Sequence, residues 1–150
     1  MKMRVYLDTS VISALFDERN PERKRLTEAF IRKRGDFEVY VSEISIAEVE
    51  RTPKIKLRNK MRRAISELLV VPVTDDVERL ASEYIRYGAV PEDYPEDAYH
   101  IAIAVINDMD FLLSWNFRHI VRRKTRDIVR MVNTLMGVRQ IDIMTPAELL

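Results

Sequence analysis

The sequence contains no cysteine. That excludes thiol nucleophiles, iron–sulfur clusters and disulfides, and it agrees with a reducing compartment. Its three glycines, Gly35, Gly88 and Gly137, stand far apart. Neither a G-x-G-x-x-G turn nor a G-x-x-x-x-G-K-[ST] loop can be built from them, because both need clustered glycines to bring backbone amides against a phosphate. G-x-S-x-G is missing too, and with it the serine nucleophile of the α/β-hydrolases. The two histidines, His100 and His119, cannot complete the three His or Cys ligands of the usual catalytic zinc site without a carboxylate. Any metal is therefore expected to be a hard cation held by oxygen. Long apolar runs are also lacking: the longest stretch without Asp, Glu, Lys or Arg, residues 98–107, falls far short of the ~20 residues of a membrane helix. The opening MKMRVYLDTSVISALF carries Asp8 inside its apolar part and has no small-residue cleavage site, so it does not read as a secretory signal and a cytoplasmic address is expected.

What is present suits one domain spanning residues 1–150. The chain is 47% apolar and 33% charged with a net charge of +1, and a domain of this length buries roughly 70% of its unfolded surface without a staple. Short blocks rich in Val, Ile, Phe and Tyr at residues 3–7, 37–41, 69–73, 111–115 and 141–144 predict five strands. Between them, residues 21–34, 55–68, 77–87, 95–106 and 118–135 carry apolar side chains at helical spacing. This alternation predicts right-handed crossovers, a mostly parallel five-stranded sheet and a three-layer α/β/α fold.

In open α/β sheets ligands gather beyond the carboxyl ends of the strands, and the polar residues expected there are mostly acidic. Asp8 closes the first strand in VYLDTS, Glu48 follows the second in SEISIAEVE, Asp97 opens a helix in YPEDAYHIAIA, and Asn116 follows the fourth strand in FLLSWNF. Each also has a structural reading. Asp8 can cap the short SVISALF helix, Glu48 can close a capping box with Ser45, Asp97 can complement a helix dipole beside Pro95, and Asn116 can make a turn. Taken together they say more. Three carboxylates gathered about 4 Å apart repel one another by about 4 kcal/mol per pair at an effective dielectric near 20, and a divalent cation reverses that sign. Oxygen ligands without His or Cys select Mg²⁺ or Mn²⁺.

These segments, DTSVI, SEISIAEVE, PEDAYHIAIA and FLLSWNFRHI, resemble in order and separation those of the PIN-domain ribonucleases, which include VapC-type toxins of toxin–antitoxin pairs. The resemblance covers nearly the whole chain. It implies a PIN-like fold, Asp8, Glu48 and Asp97 as ligands of Mg²⁺ or Mn²⁺, and Ser10 as a hydrogen-bonding site residue. Asn116 stands where many members carry a further Asp, which removes one negative charge and weakens any second metal site. Also implied are a 5′-phosphate product, a homodimer and an antitoxin protein that blocks the cleft.

Charge distribution points to a polyanion. Residues 51–63 hold Arg51, Lys54, Lys56, Arg58, Lys60, Arg62 and Arg63 with no acid, residues 118–130 hold six basic side chains against Asp127 alone, and acids concentrate between Asp75 and Asp97. Arg outnumbers Lys, which suits bidentate phosphate contacts. Arg118 and Ser10 are candidate substrate contacts, Asn116 joins the three acids as a candidate catalytic residue, and His119 is placed to meet a phosphate. His100 is expected to be a packed histidine without a role, and Trp115 to pack in the core or at its rim. The reading is a metal-dependent endoribonuclease acting on RNA. Two alternatives are a non-catalytic PIN-like scaffold that binds RNA or protein, and a receiver-like domain with Asp8 as phosphoacceptor. Against the latter, no acidic pair precedes the end of the first strand.

Overall fold

Strand β1 (Met3–Leu7) sets the geometry of everything that follows. The computed structural model describes residues 1–150, and β1 lies at the centre of an all-parallel sheet with β2 (Phe37–Ser42), β3 (Leu69–Val71), β4 (Phe111–Leu113) and β5 (Asp142–Met144), in the order β3-β2-β1-β4-β5. Because side chains alternate along a strand, Val5 and Leu7 face one side and Tyr6 the other. The first side packs on α1 (Thr9–Ala14), α2 (Pro21–Arg32), α3 (Glu43–Glu50) and α4 (Ile55–Ser66) through Val11, Phe30, Val49 and Met61. The second packs on α5 (Asp75–Arg86), α6 (Pro95–Ile106) and α7 (Arg123–Met136) through Leu80, Ile101 and Val129. The fold is thus the three-layer α/β/α arrangement that the alternating pattern predicts, with every strand parallel.

Element ends differ from the sequence pattern where a local or tertiary hydrogen bond decides them. The third strand stops at Val71 rather than residue 73 because Pro72 has no N–H to give the ladder. Helix α5 begins two residues early, at Asp75, because the Thr74 side chain accepts from the Val77 amide. The last helix begins five residues late, at Arg123: the Asn116 carbonyl accepts from the amides of both Ile120 and Val121, at 3.0 and 2.8 Å, and holds that stretch as a loop. It ends on Gly137, whose φ of 68° is the left-handed conformation that closes a helix.

From β1 the chain winds outward to β2 and β3, then crosses back to β4 on the other side of β1 and on to β5. The carboxyl ends of β1 and β4 therefore border the point where strand order reverses, the position at which open α/β sheets offer a ligand crevice.

Candidate active site

Asp8 is the first residue past β1 and lies in this crevice. Its amide donates to the Leu113 carbonyl at 3.2 Å, which locks the end of β1 to the end of β4. Its carboxylate caps α1 by accepting from the Ser10 amide, so the capping role is real. That role leaves most of the carboxylate's bonding to other groups: the Ser10 hydroxyl donates to Oδ1 at 2.5 Å and the Ser114 hydroxyl to Oδ2 at 2.7 Å. Asp8 is only 3% exposed. Burial pushes its carboxyl above the usual carboxylate range, against the opposing pull of His100, Ser10 and Ser114, and the charge of Asp97 raises it further.

Glu48 reaches the crevice from α3. The capping box expected between Ser45 and Glu48 is not the one that forms. Ser42 and Ser45 make it instead, which starts α3 at Glu43 and moves Glu48 into the helix interior, beyond the first turn. Its Oε1 accepts from the Thr9 hydroxyl at 2.9 Å and pairs with His100 Nε2 at 2.6 Å. Burial pushes the Glu48 carboxyl up, yet the hydrogen bond and charge of His100, together with Thr9 and Arg51, outweigh it and hold the group below its ordinary value.

Asp97 sits in the first turn of α6, two residues past Pro95, where a carboxylate is favoured by the helix dipole. Its Oδ2 pairs with His119 Nδ1 at 2.8 Å and its Oδ1 meets Asn116 Nδ2 at 3.4 Å. Asn116 Oδ1 accepts from the His119 amide at 3.0 Å, so the turn reading of Asn116 holds together with its contact to Asp97. The Tyr94 ring packs against the His119 ring in a tilted arrangement, with a centroid separation of 4.4 Å. Burial raises the Asp97 carboxyl, His119 and His100 oppose that, and Glu48 adds to it.

The structure therefore brings Asp8, Glu48, Asp97, Asn116 and Ser10 to one crevice. The Ser10 hydroxyl gives its proton to Asp8 and accepts from the Trp115 amide at 2.9 Å, so its bonds are spent inside the site. Arg118 is exposed on the loop after β4 and pairs with no acid, whereas His119, expected to meet a phosphate, is turned onto Asp97. Trp115 is buried on the α1–α4 side, with its indole N–H on Thr27, as expected of a packing residue. Sequence reasoning missed Ser114, Thr9 and above all His100, which is not a packing histidine: it is 2% exposed and both ring nitrogens are hydrogen-bonded. The available signal was the helical spacing that puts His100 three residues beyond Asp97.

No Lys or Arg is paired with Asp8, Glu48 or Asp97; the partners they have are hydroxyls, amides and two imidazoles, His100 on Glu48 and His119 on Asp97. Enclosed carboxylates without a cation are costly. An all-oxygen set of this kind fits a hard divalent ion. As the side chains stand, each carboxylate is turned onto its own donors, and no three acidic or imidazole groups close on a single point.

An α/β/α domain with an acidic crevice at its strand-order switch is the class that fold and site define. Within that class the chain belongs to the PIN-domain family, whose model matches residues 5–121. No match is found among curated proteins. Among solved structures the fold is similar to VapBC2 from Rickettsia felis, determined bound to a DNA fragment from its promoter, with a TM-score of 0.60, 11% identity, and coverage of 94% of this chain and 97% of that one. It is also similar to VapC20 of Mycobacterium tuberculosis, a toxin that cleaves the sarcin–ricin loop, with a TM-score of 0.57, 21% identity, and coverage of 77% and 92%. At these identities both are likenesses of fold.

Proposed function

We propose that this PIN-domain protein is a metal-dependent endoribonuclease, with Asp8, Glu48 and Asp97 holding Mg²⁺ or Mn²⁺. The observation that carries the reading is the gathering of three carboxylates, Asp8 buried and Glu48 and Asp97 half-buried, at the strand-order switch with no Lys or Arg paired to them. A cation bound there supplies acidified water and neutralises phosphoryl charge. The chain's own side chains prepare the ground. Ser10 and Ser114 aim Asp8, Thr9 and His100 aim Glu48, and His119 and Asn116 aim Asp97. Arg118, exposed beside them, presents a guanidinium for a substrate phosphate.

Likeness to VapC20, a toxin that cleaves an RNA loop, supports RNA as the substrate, and the likeness to VapBC2 supports the toxin half of a toxin–antitoxin pair. An antitoxin protein that covers the crevice, assembly as a homodimer, and action in the cytoplasm complete the reading. No helix of the chain is long and apolar enough to cross a membrane.

Purified protein incubated with single-stranded RNA tests it. Cleavage is expected with Mg²⁺ or Mn²⁺ and none with EDTA; cleavage undiminished in EDTA overturns the metal reading. RNA bound but left intact with either ion favours the non-catalytic scaffold suggested by Asn116.

A further inference from the structure

Tyr6 lies in the centre of β1 with no exposed surface, on the side packed by α5, α6 and α7. A phenylalanine would fill that space without a polar atom to satisfy. The tyrosine hydroxyl instead bonds Ser42 Oγ at 2.8 Å and His100 Nδ1 at 2.6 Å. His100, equally enclosed, passes the contact on to Glu48 Oε1 at 2.6 Å. A carboxylate only accepts, so Nε2 is the donor to Glu48 whether the ring is neutral or charged. In the neutral ring Nδ1 then accepts from Tyr6, which fixes the tautomer. The result is a continuous buried line from the base of α3, at Ser42, through the central strand and α6, and back to Glu48 on α3.

Both hydrogen bonds to Glu48, from His100 and from Thr9, fall on Oε1 and leave Oε2 free of them. Thr9 directly follows Asp8, so the same oxygen that ties Glu48 to the core also ties it to the neighbour of the most enclosed acid.

We propose that Tyr6 and His100 are positioning residues that pin Glu48 by one carboxylate oxygen and keep the other available, setting the divalent-ion affinity of the crevice. The proposal rests on the metal reading given above. Groups that hydrogen-bond a ligating side chain typically change metal affinity by about 10- to 100-fold when removed.

Calorimetric titration of the full chain with Mn²⁺ alone, together with the melting temperature of the metal-free protein, tests it. Tyr6→Phe removes one oxygen and keeps the ring; His100→Leu fills the core and removes the donor to Glu48; His100→Gln fills it less well but keeps an amide N–H near the Nε2 position. The expected result is Mn²⁺ binding weakened about 10-fold or more in His100→Leu, weakened to a smaller extent in Tyr6→Phe, which acts through His100, and substantially restored in His100→Gln relative to His100→Leu. Metal-free stability should follow the opposite order, with Leu at or above Gln, so packing alone cannot produce the affinity ranking. If His100→Leu does not fold, Tyr6→Phe and His100→Gln still decide. Wild-type affinity in Tyr6→Phe and His100→Leu, or a His100→Gln no better than Leu, overturns the positioning role while leaving the metal reading intact. A wild-type protein that binds no Mn²⁺ overturns both.

Discussion

Replacing Asp8 by asparagine exchanges one oxygen for nitrogen and takes one charge from the most enclosed corner of the crevice. Burial raises the Asp8 carboxyl above its ordinary value of 3.8. A group with a higher pKa folded than unfolded binds protons more readily in the folded state, so it disfavours folding once ionised and that disadvantage shrinks as pH falls into the carboxylate range. Metal-free Asp8→Asn should therefore melt at or above the wild-type temperature near neutral pH, with the gap closing under acid, while RNA cleavage falls about 100-fold or more. Cleavage at the wild-type rate would remove Asp8 from the site. Asn116→Asp works in the reverse sense. It replaces an amide donor facing Asp97 by a second acid, so the metal-free protein should lose stability and Mg²⁺ affinity should rise several-fold, both read by thermal melts with and without the ion. An unchanged affinity would place Asn116 outside the ion's reach. Asp8 and Asp97 were legible from sequence because each lies at a strand or helix end that composition marks, and Glu48 because it follows closely on β2, although it sits inside α3. His100 was not, since the partner that defines it, Tyr6, is 94 residues away and reaches it only through the alternation of β1.

At the scale of elements, boundaries set by neighbouring residues were readable and those set by distant ones were not. β1 ends at a helix cap and α6 starts at Pro95, both local marks, and the expected bounds match the structure. The start of α7 depends on the Asn116 carbonyl taking two amides, which no periodicity reveals. The box at α3 was misread because Ser42-x-x-Ser45 competes with Ser45-x-x-Glu48, and only the end of β2 shows which serine stands at the cap. The close of α7 gives a test independent of the crevice. A Cβ at Gly137 would meet nothing within 4 Å, so Gly137→Ala feels only the strain of its positive φ, about 1 kcal/mol or roughly 3 °C in melting temperature. Cleavage should be unaffected; a loss of activity at equal folded fraction would tie α7 to the chemistry.

Across the whole molecule acids and bases pair at many points, yet basic side chains gather in two stretches, residues 51–63 and 118–130. In the basic stretch over residues 51–63, Arg51 pairs with Glu96 and Arg62 with Glu50, whereas Arg118, within the loop that carries Asn116 and His119, and Lys124, just after it, pair with no acid. If single-stranded RNA follows that side, each lost phosphate contact should lower the salt dependence of binding by about 0.7 in slope. Arg118→Ala combined with Lys124→Ala should therefore weaken binding and flatten its salt dependence, with stability changed by less than about 0.5 kcal/mol; an unchanged slope would send the RNA elsewhere. The strand order has a consequence in time as well. Asp8 is held by Ser114, and Ser10 by the amide of Trp115, contacts that span 106 and 105 residues. Pairings this remote form late. A growing chain carries its first acid from the beginning but has no second wall for the crevice until β4 has emerged, so whatever activity the proposed function gives this crevice is withheld while the chain is still on the ribosome.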